Sequence, residues 1–169
     1  MTAADIPRTL GQPDQGFEGN RFTGIPLFDA LTHWDLSSAD KPSVLIPGLA
    51  TSWKVGDTDK TKWTFVLRKG VKFQNGEPFN ANAVRFSFER AGGDKSTNKD
   101  KRTFAMMDRV AVIDDYTVVI LNKQLDPDFL FLMGQATAII VEPKSVDSNA
   151  TKPVGTGPYQ LSAWAKGSS

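Results

Sequence analysis

Between Lys62 and Arg68 the large apolar residues Trp63, Phe65 and Leu67 alternate with Lys62, Thr64, Val66 and Arg68. A period of two sends one set of side chains to a single face of a β-strand, and a face built of two aromatic rings and a leucine has to be covered. Trp53 to Val55 supplies a first partner strand, joined around Asp57-Thr-Asp-Lys60. A second hairpin is expected over Arg109 to Asn122, where Val110, Val112, Tyr116, Val118 and Ile120 flank Asp114-Asp115, a residue type that hydrogen-bonds its own turn. The expected cover is a helix from Ala81 to Ala91. Asn80 is a good N-cap, Val84 and Phe88 lie four apart, and Gly92-Gly93 ends it.

The remaining chain is punctuated more often. Thr9 to Phe22 reads as a brief strand opening into a polar loop, and Phe22 to Leu36 as a short helix with Ile25, Phe28, Leu31 and Trp34 in one stripe. Pro42 and Pro47 prevent a long helix after it. Asn75-Gly76 marks a tight turn, and Asp94 to Arg102, without one apolar side chain, a solvated loop. A short helix is expected from Asp126-Pro127 through Met133, with short strands over Ala138 to Val141 and Tyr159 to Trp164. Hairpins mixed with short helices, and no internal repeat, indicate a mixed α/β or α+β fold.

Composition removes several function classes. With 20 Lys+Arg against 19 Asp+Glu the net charge is +1, too small for a general nucleic-acid binder, which needs a basic excess to displace counterions. The absence of cysteine excludes disulfides, thiolate nucleophiles and Cys-type metal sites, and a lone histidine excludes multi-His sites. The longest purely apolar run, Phe129 to Met133, falls far below the roughly 20 residues of a spanning helix. Met1 to Pro7 has neither the basic nor the apolar region of a signal peptide.

Most motif matches are near misses. Gly92-Gly-Asp-Lys-Ser-Thr97 lacks the adjacent Gly-Lys and the strand-to-helix context of a phosphate loop. In Gly155-Thr-Gly-Pro158 the proline removes a backbone donor, and no helix is expected to follow. The Asp114-Asp115 side chains diverge on extended backbone and read as turn chemistry. Asn149-Ala-Thr151 matches a glycosylation sequon that recurs by chance. Trp53, Trp63, Phe65, Phe73, Phe86 and Phe88 fall on periodicities that demand burial. His33 with Asp35 and Ser37 or Ser38 leaves a small hydrolase open, although His33 reads more simply as the polar edge of the stripe ending in Trp34.

An ordered set of phrases adds more. Phe28-Asp-Ala-Leu-Thr32, Ile46-Pro-Gly-Leu-Ala-Thr-Ser-Trp53, Trp63-Thr-Phe-Val-Leu-Arg-Lys-Gly-Val-Lys-Phe73, Asn75-Gly-Glu-Pro-Phe79, Ala83-Val-Arg-Phe-Ser-Phe-Glu-Arg90, Asp114-Asp-Tyr-Thr-Val118 and Gly155-Thr-Gly-Pro-Tyr159 occur in this order. Together, from about residue 9 to Trp164, they resemble the extracytoplasmic solute-binding proteins of ATP-driven dipeptide, oligopeptide and nickel importers. Several of the phrases suit a scaffold. Gly70 and Gly76 fit turns that need positive φ, Pro78 stiffens the entry to the helix, Gly155 and Gly157 let the backbone turn sharply before the closing strand, and Gly155, Gly157, Pro158 and Tyr159 are expected to be structural or hinge residues.

The resemblance implies two lobes closing on a ligand, a non-catalytic role without cofactor or metal, and a periplasmic or extracytoplasmic location. It also implies a peptide or small-molecule ligand and delivery to permease and ATPase subunits. Members are several times longer, so the chain is expected to be an N-terminal fragment lacking the second lobe. Residues 47–154 would form a peripheral subdomain of the first lobe, with 1–46 and 155–169 in its hinge-bearing subdomain. The residues expected to face the cleft are Phe17 for packing, Glu18 and Arg21 for charge pairing, Gln135 for a hydrogen bond, and Ala136. A free-standing domain that binds a partner protein or self-associates is the alternative to the importer reading.

Overall fold

A computed structural model describes residues 25–163. Its centre is a four-stranded antiparallel sheet in the order β3-β4-β6-β5, made of β3 (Ala50–Val55), β4 (Lys62–Leu67), β5 (Met107–Asp114) and β6 (Thr117–Asn122). The two hairpins foreseen from the alternation are these strands. They join through β4 and β6, where Trp63 faces Ile120 and Phe65 faces Val118. The turn between β5 and β6 is held by Asp114, whose carboxylate accepts the Tyr116 N–H at 2.8 Å.

Helix α2 (Ala81–Gly92) lies over the apolar face of this sheet, burying Ala81, Ala83, Val84, Ser87 and Phe88. Its first turn is capped as expected: the Asn80 side chain accepts from the N–H groups of Asn82 and Ala83. Phe65, Val118, Ile120, Val84 and Phe88 are almost wholly inaccessible and belong to one core. Trp53 and Trp63 pack against it half-buried. The helix ends at Gly93, but not through a left-handed residue, since φ there is −67°. Gly92 is small because of a close approach: a Cβ there would stand 2.8 Å from the Phe104 carbonyl carbon. Gly70 and Gly76 do take positive φ, 75° and 88°.

Five local expectations change. Of the helix expected over Phe22 to Leu36, only α1 (Ile25–Leu27) is helical among the described residues. Thr32–Trp34 is instead strand β1, paired antiparallel with β2 (Leu45–Pro47). Leu27, Phe28, Ala30, Leu31 and Thr32 are all buried, which is a near-continuous buried run and not a stripe, so a spacing of three was not diagnostic. Asp94 to Arg102 is tied down: the Asn98 amide donates to the Thr137 carbonyl at 3.0 Å, Asp100 accepts from the Thr137 hydroxyl, and Lys101 opens helix α3 (Lys101–Ala105). Ala138 to Val141 is buried as expected, but its ladder is a single antiparallel bridge, Ile139 to Ala30. From Tyr159 to Ala163 no strand forms, and Trp164 lies outside the described residues. The helix near Asp126-Pro127 is shorter than expected, α4 (Phe129–Leu132).

The Phe88 ring is 5.4 Å from that of Phe104, which locks α3 onto α2. Phe88→Ala is expected to cost about 3–5 kcal/mol by opening a cavity at this junction, and Asn80→Ala about 1 kcal/mol through the cap. Urea unfolding of both variants checks the order, and a larger loss for Asn80→Ala contradicts the placement of the core.

Candidate functional site

Residues 26–30, 139–142 and 154–159 come together as a thin layer beside the main sheet. Ile140 N–H donates to the Asp29 carbonyl at 2.9 Å, Glu142 N–H to Val154 at 3.3 Å, Gly157 N–H to Leu27 at 3.1 Å and Tyr159 N–H to Pro26 at 3.1 Å. Leu27, Phe28, Ile139 and Val141 form a small apolar cluster of their own, with Phe86 against it. Gly155 and Gly157 are required by this crossing. A Cβ on Gly157 would lie 2.6 Å from the Leu27 carbonyl carbon, and one on Gly155 would lie 2.5 Å from the Phe28 ring. Neither glycine has positive φ, so their role is close approach of backbone to backbone.

One side chain clamps the crossing. The Gln74 carboxamide nitrogen stands 3.0 Å from the Leu27 carbonyl, 3.2 Å from that of Gly157 and 2.5 Å from that of Tyr159, while its oxygen accepts the Gly155 N–H at 3.1 Å. Two amide hydrogens are thus shared among three acceptors, and every polar atom of the side chain is engaged. Asp29 adds a second tie by accepting the Thr156 hydroxyl at 2.9 Å. Sequence reasoning passed over Gln74, although it stands between the buried Phe73 and the Asn75-Gly76 turn. No local signal marks it, because its partners lie 47 to 85 residues away in sequence.

Of the residues expected to face a cleft, Phe17, Glu18 and Arg21 lie outside the described residues. Gln135 and Ala136 are half-buried in the turn that leads from α4 into the buried run 137–142. The Gln135 carbonyl accepts the Ala138 N–H at 3.0 Å, which fixes the turn. Beside it the Trp34 ring stacks on Phe131, centroids 4.8 Å apart at 22°, and its indole N–H donates to the Phe131 carbonyl at 2.9 Å. Gly134 is small because a Cβ would meet the Trp34 ring at 2.6 Å. Phe131 itself remains 45% exposed. Of the residues given a turn role, Gly155 is buried, Gly157 is half-buried and Tyr159 is largely exposed.

A cavity of about 440 Å³ opens on the other side of Thr137, lined by Ser87, Arg90, Lys95, Ser96 and Asn98 among others. Its size suits a small polar solute. The sequence elements of a hydrolase do not assemble. His33 Nε2 lies 3.7 Å from Asp29, whereas the Asp35 carboxylate accepts from Ser37, whose hydrogen bonds hold its pKa below the usual carboxylate value. Among the described residues no group of three or more His, Asp or Glu side chains could hold a metal ion, and no helix is long and apolar enough to cross a membrane. Asn149, the sequon asparagine, is 1% exposed and its side-chain oxygen accepts the Val154 N–H at 2.9 Å, so the motif is a structural one.

Comparison with known proteins gives a consistent picture. Residues 44–169 match the family described as bacterial extracellular solute-binding proteins, family 5 Middle. The glutathione-binding protein GsiB of Pectobacterium atrosepticum is 31% identical over 86% of this chain and 31% of its own length. The probable D,D-dipeptide-binding periplasmic protein DdpA of Escherichia coli is 32% identical over 98% of this chain and 33% of its own. In structure, MoaA from A. tumefaciens R10, solved with mannopinic acid, superposes with a TM-score of 0.83 at 27% identity, covering 97% of this chain and 34% of that one. The chain therefore spans about a third of the length of the relatives it matches.

Removing the clamp has a measurable consequence. Gln74→Leu, similar in volume, leaves the Gly155 N–H and the Leu27, Gly157 and Tyr159 carbonyls without this partner, and is expected to cost about 2 kcal/mol. Hydrogen exchange should quicken at Gly155, Gly157 and Tyr159 while the β4 and β6 amides keep their protection. Unchanged exchange at those three positions contradicts the clamp.

Proposed function

Because the chain belongs to the bacterial extracellular solute-binding proteins of family 5, we propose that it contributes the first lobe of a substrate-binding component of an ATP-driven importer, taking a peptide or related small solute. The family match over residues 44–169 carries this reading. The relatives that support it are described as binding glutathione or D,D-dipeptides, both small and peptide-like. In this reading the protein acts outside the cytoplasm and hands its ligand to membrane-embedded permease and ATPase partners.

Residues 47–154, which hold the four-stranded sheet and α2, form the peripheral subdomain. Residues 1–46 and 155–169 belong to the hinge-bearing subdomain, whose described part is stapled to the peripheral one by Gln74. In this reading the turn at Gln135 and Ala136, with the exposed ring of Phe131 beside it, faces the ligand cleft. Capture is non-catalytic. In support, His33 Nε2 lies 3.7 Å from Asp29, while the Asp35 carboxylate accepts the Ser37 N–H.

A two-lobed binder draws its affinity from contacts to both lobes in the closed state, so one lobe has little affinity of its own. Calorimetric titration of the 169-residue chain with glutathione and a panel of short peptides is expected to show nothing tighter than about millimolar, worth roughly 4 kcal/mol. Micromolar binding by this chain alone contradicts two-sided capture. Turnover of ester or peptide substrates that is lost in His33→Ala contradicts the non-catalytic reading.

A further inference from the structure

The chain contains one Asn-Gly pair, Asn75-Gly76, in the turn next to the Gln74 clamp. Asparagine before glycine is chemically labile, because the unhindered backbone nitrogen of the glycine can attack the asparagine side-chain carbonyl. Here three hydrogen bonds stand against that attack. The Gly76 N–H is engaged with the Phe73 carbonyl at 2.8 Å, the Asn75 side-chain oxygen accepts the Glu77 N–H at 3.2 Å, and the side-chain nitrogen donates to Glu142 Oε2 at 3.0 Å.

The acceptor of that last bond is the unusual part. Glu142 is only 2% exposed, and its other oxygen caps the following turn by accepting the Lys144 N–H at 2.9 Å. A buried carboxylate of this kind is tolerable only with donors on its oxygens. Asn75 is the side-chain donor to Oε2, across a sequence separation of 67 residues. The charges around it come from both packed segments: Glu77 on the turn pairs with Lys144 at 2.9 Å, and Lys72 is on the bridge that closes the turn against Pro78. Lys144 is thus already committed to Glu77, which raises its pKa above the usual lysine value.

We propose that Asn75 is a site of spontaneous deamidation that the folded turn holds in check, and that conversion breaks the tie between this turn and the segment at Glu142. In the reaction the Gly76 nitrogen bonds to Asn75 Cγ and loses its proton, the Cγ–Nδ2 bond breaks, and ammonia leaves. Water then opens the succinimide at either carbonyl, giving aspartate or isoaspartate. No oxidant or cofactor enters the balance. The product replaces a donor with a second carboxylate facing a buried one, so one of the two has its pKa raised in the folded state. Folding then favours the protonated pair. The destabilisation is full above that raised pKa and is relieved as the pH falls through it.

The test begins with the unaltered chain, held at mildly alkaline pH either folded or in urea, with peptide mass spectrometry following Asn75. The expected result is conversion in the folded chain about tenfold slower or more, since the reaction waits for an opening of the turn. Equal rates overturn the protection. In a second arm, Asn75→Asp should lower the thermal midpoint at neutral pH and regain most of the loss near pH ~4, close to the usual carboxylate pKa. Glu142→Gln placed on Asn75→Asp should restore the midpoint at neutral pH. A neutral-pH midpoint equal to that of the parent, or no recovery in either acid or the double variant, overturns the proposed link to Glu142.

Discussion

One sheet face has to be dry. Trp63, Phe65, Val118 and Ile120 stand on the same side of β4 and β6, where α2 packs toward β5 and β6 and Phe129 of α4 meets the Trp63 ring at 5.9 Å. Once the helix lies there, its C-terminal end fixes where α3 packs, through Gly92 and the Phe88–Phe104 contact. The Ser87 hydroxyl, bonded to the Ala83 carbonyl at 2.7 Å, also receives the Val141 N–H at 3.0 Å. The thin second layer is therefore positioned by the far side of the same helix. Burial supplies the driving force, and a few buried hydrogen bonds supply the register.

How much of this was legible in the chain depended on the range of the interaction involved. Where structure follows from neighbours, as in the two hairpins, the Asn80 cap and the positive φ at Gly70 and Gly76, the residue pattern sufficed. Where it follows from distant partners, the pattern misled. Thr32–Trp34 becomes a strand because Leu45–Pro47 lies beside it, and nothing within Phe22 to Leu36 announces that partner. Gly155 and Gly157 were expected to let the backbone turn sharply, and what excludes a side chain at both is contact with Leu27 and Phe28, residues more than 120 positions away. The solvated appearance of Asp94 to Arg102 failed for the same reason, since Thr137 is its anchor.

The candidate site divides along the same line. Gln135 and Ala136 came from family resemblance, and the structure puts them in a well-fixed turn beside an exposed aromatic ring. Gln74 came from neither periodicity nor motif. Its role exists only when residues 27, 155, 157 and 159 are assembled around it, so a single sequence carries no local mark of it. A carboxamide chosen for four simultaneous bonds is invisible to hydropathy, which scores it as a surface residue.

The glycines at 155 and 157 let two backbones touch with no side chain between them, and Gln74 pins the joint from outside. In mechanical terms such a joint is a rivet. It can pass a torque from one part of the lobe to the other, but it has no slack with which to absorb one. Any relative motion of the segments it joins would therefore be concentrated beyond this crossing and not within it.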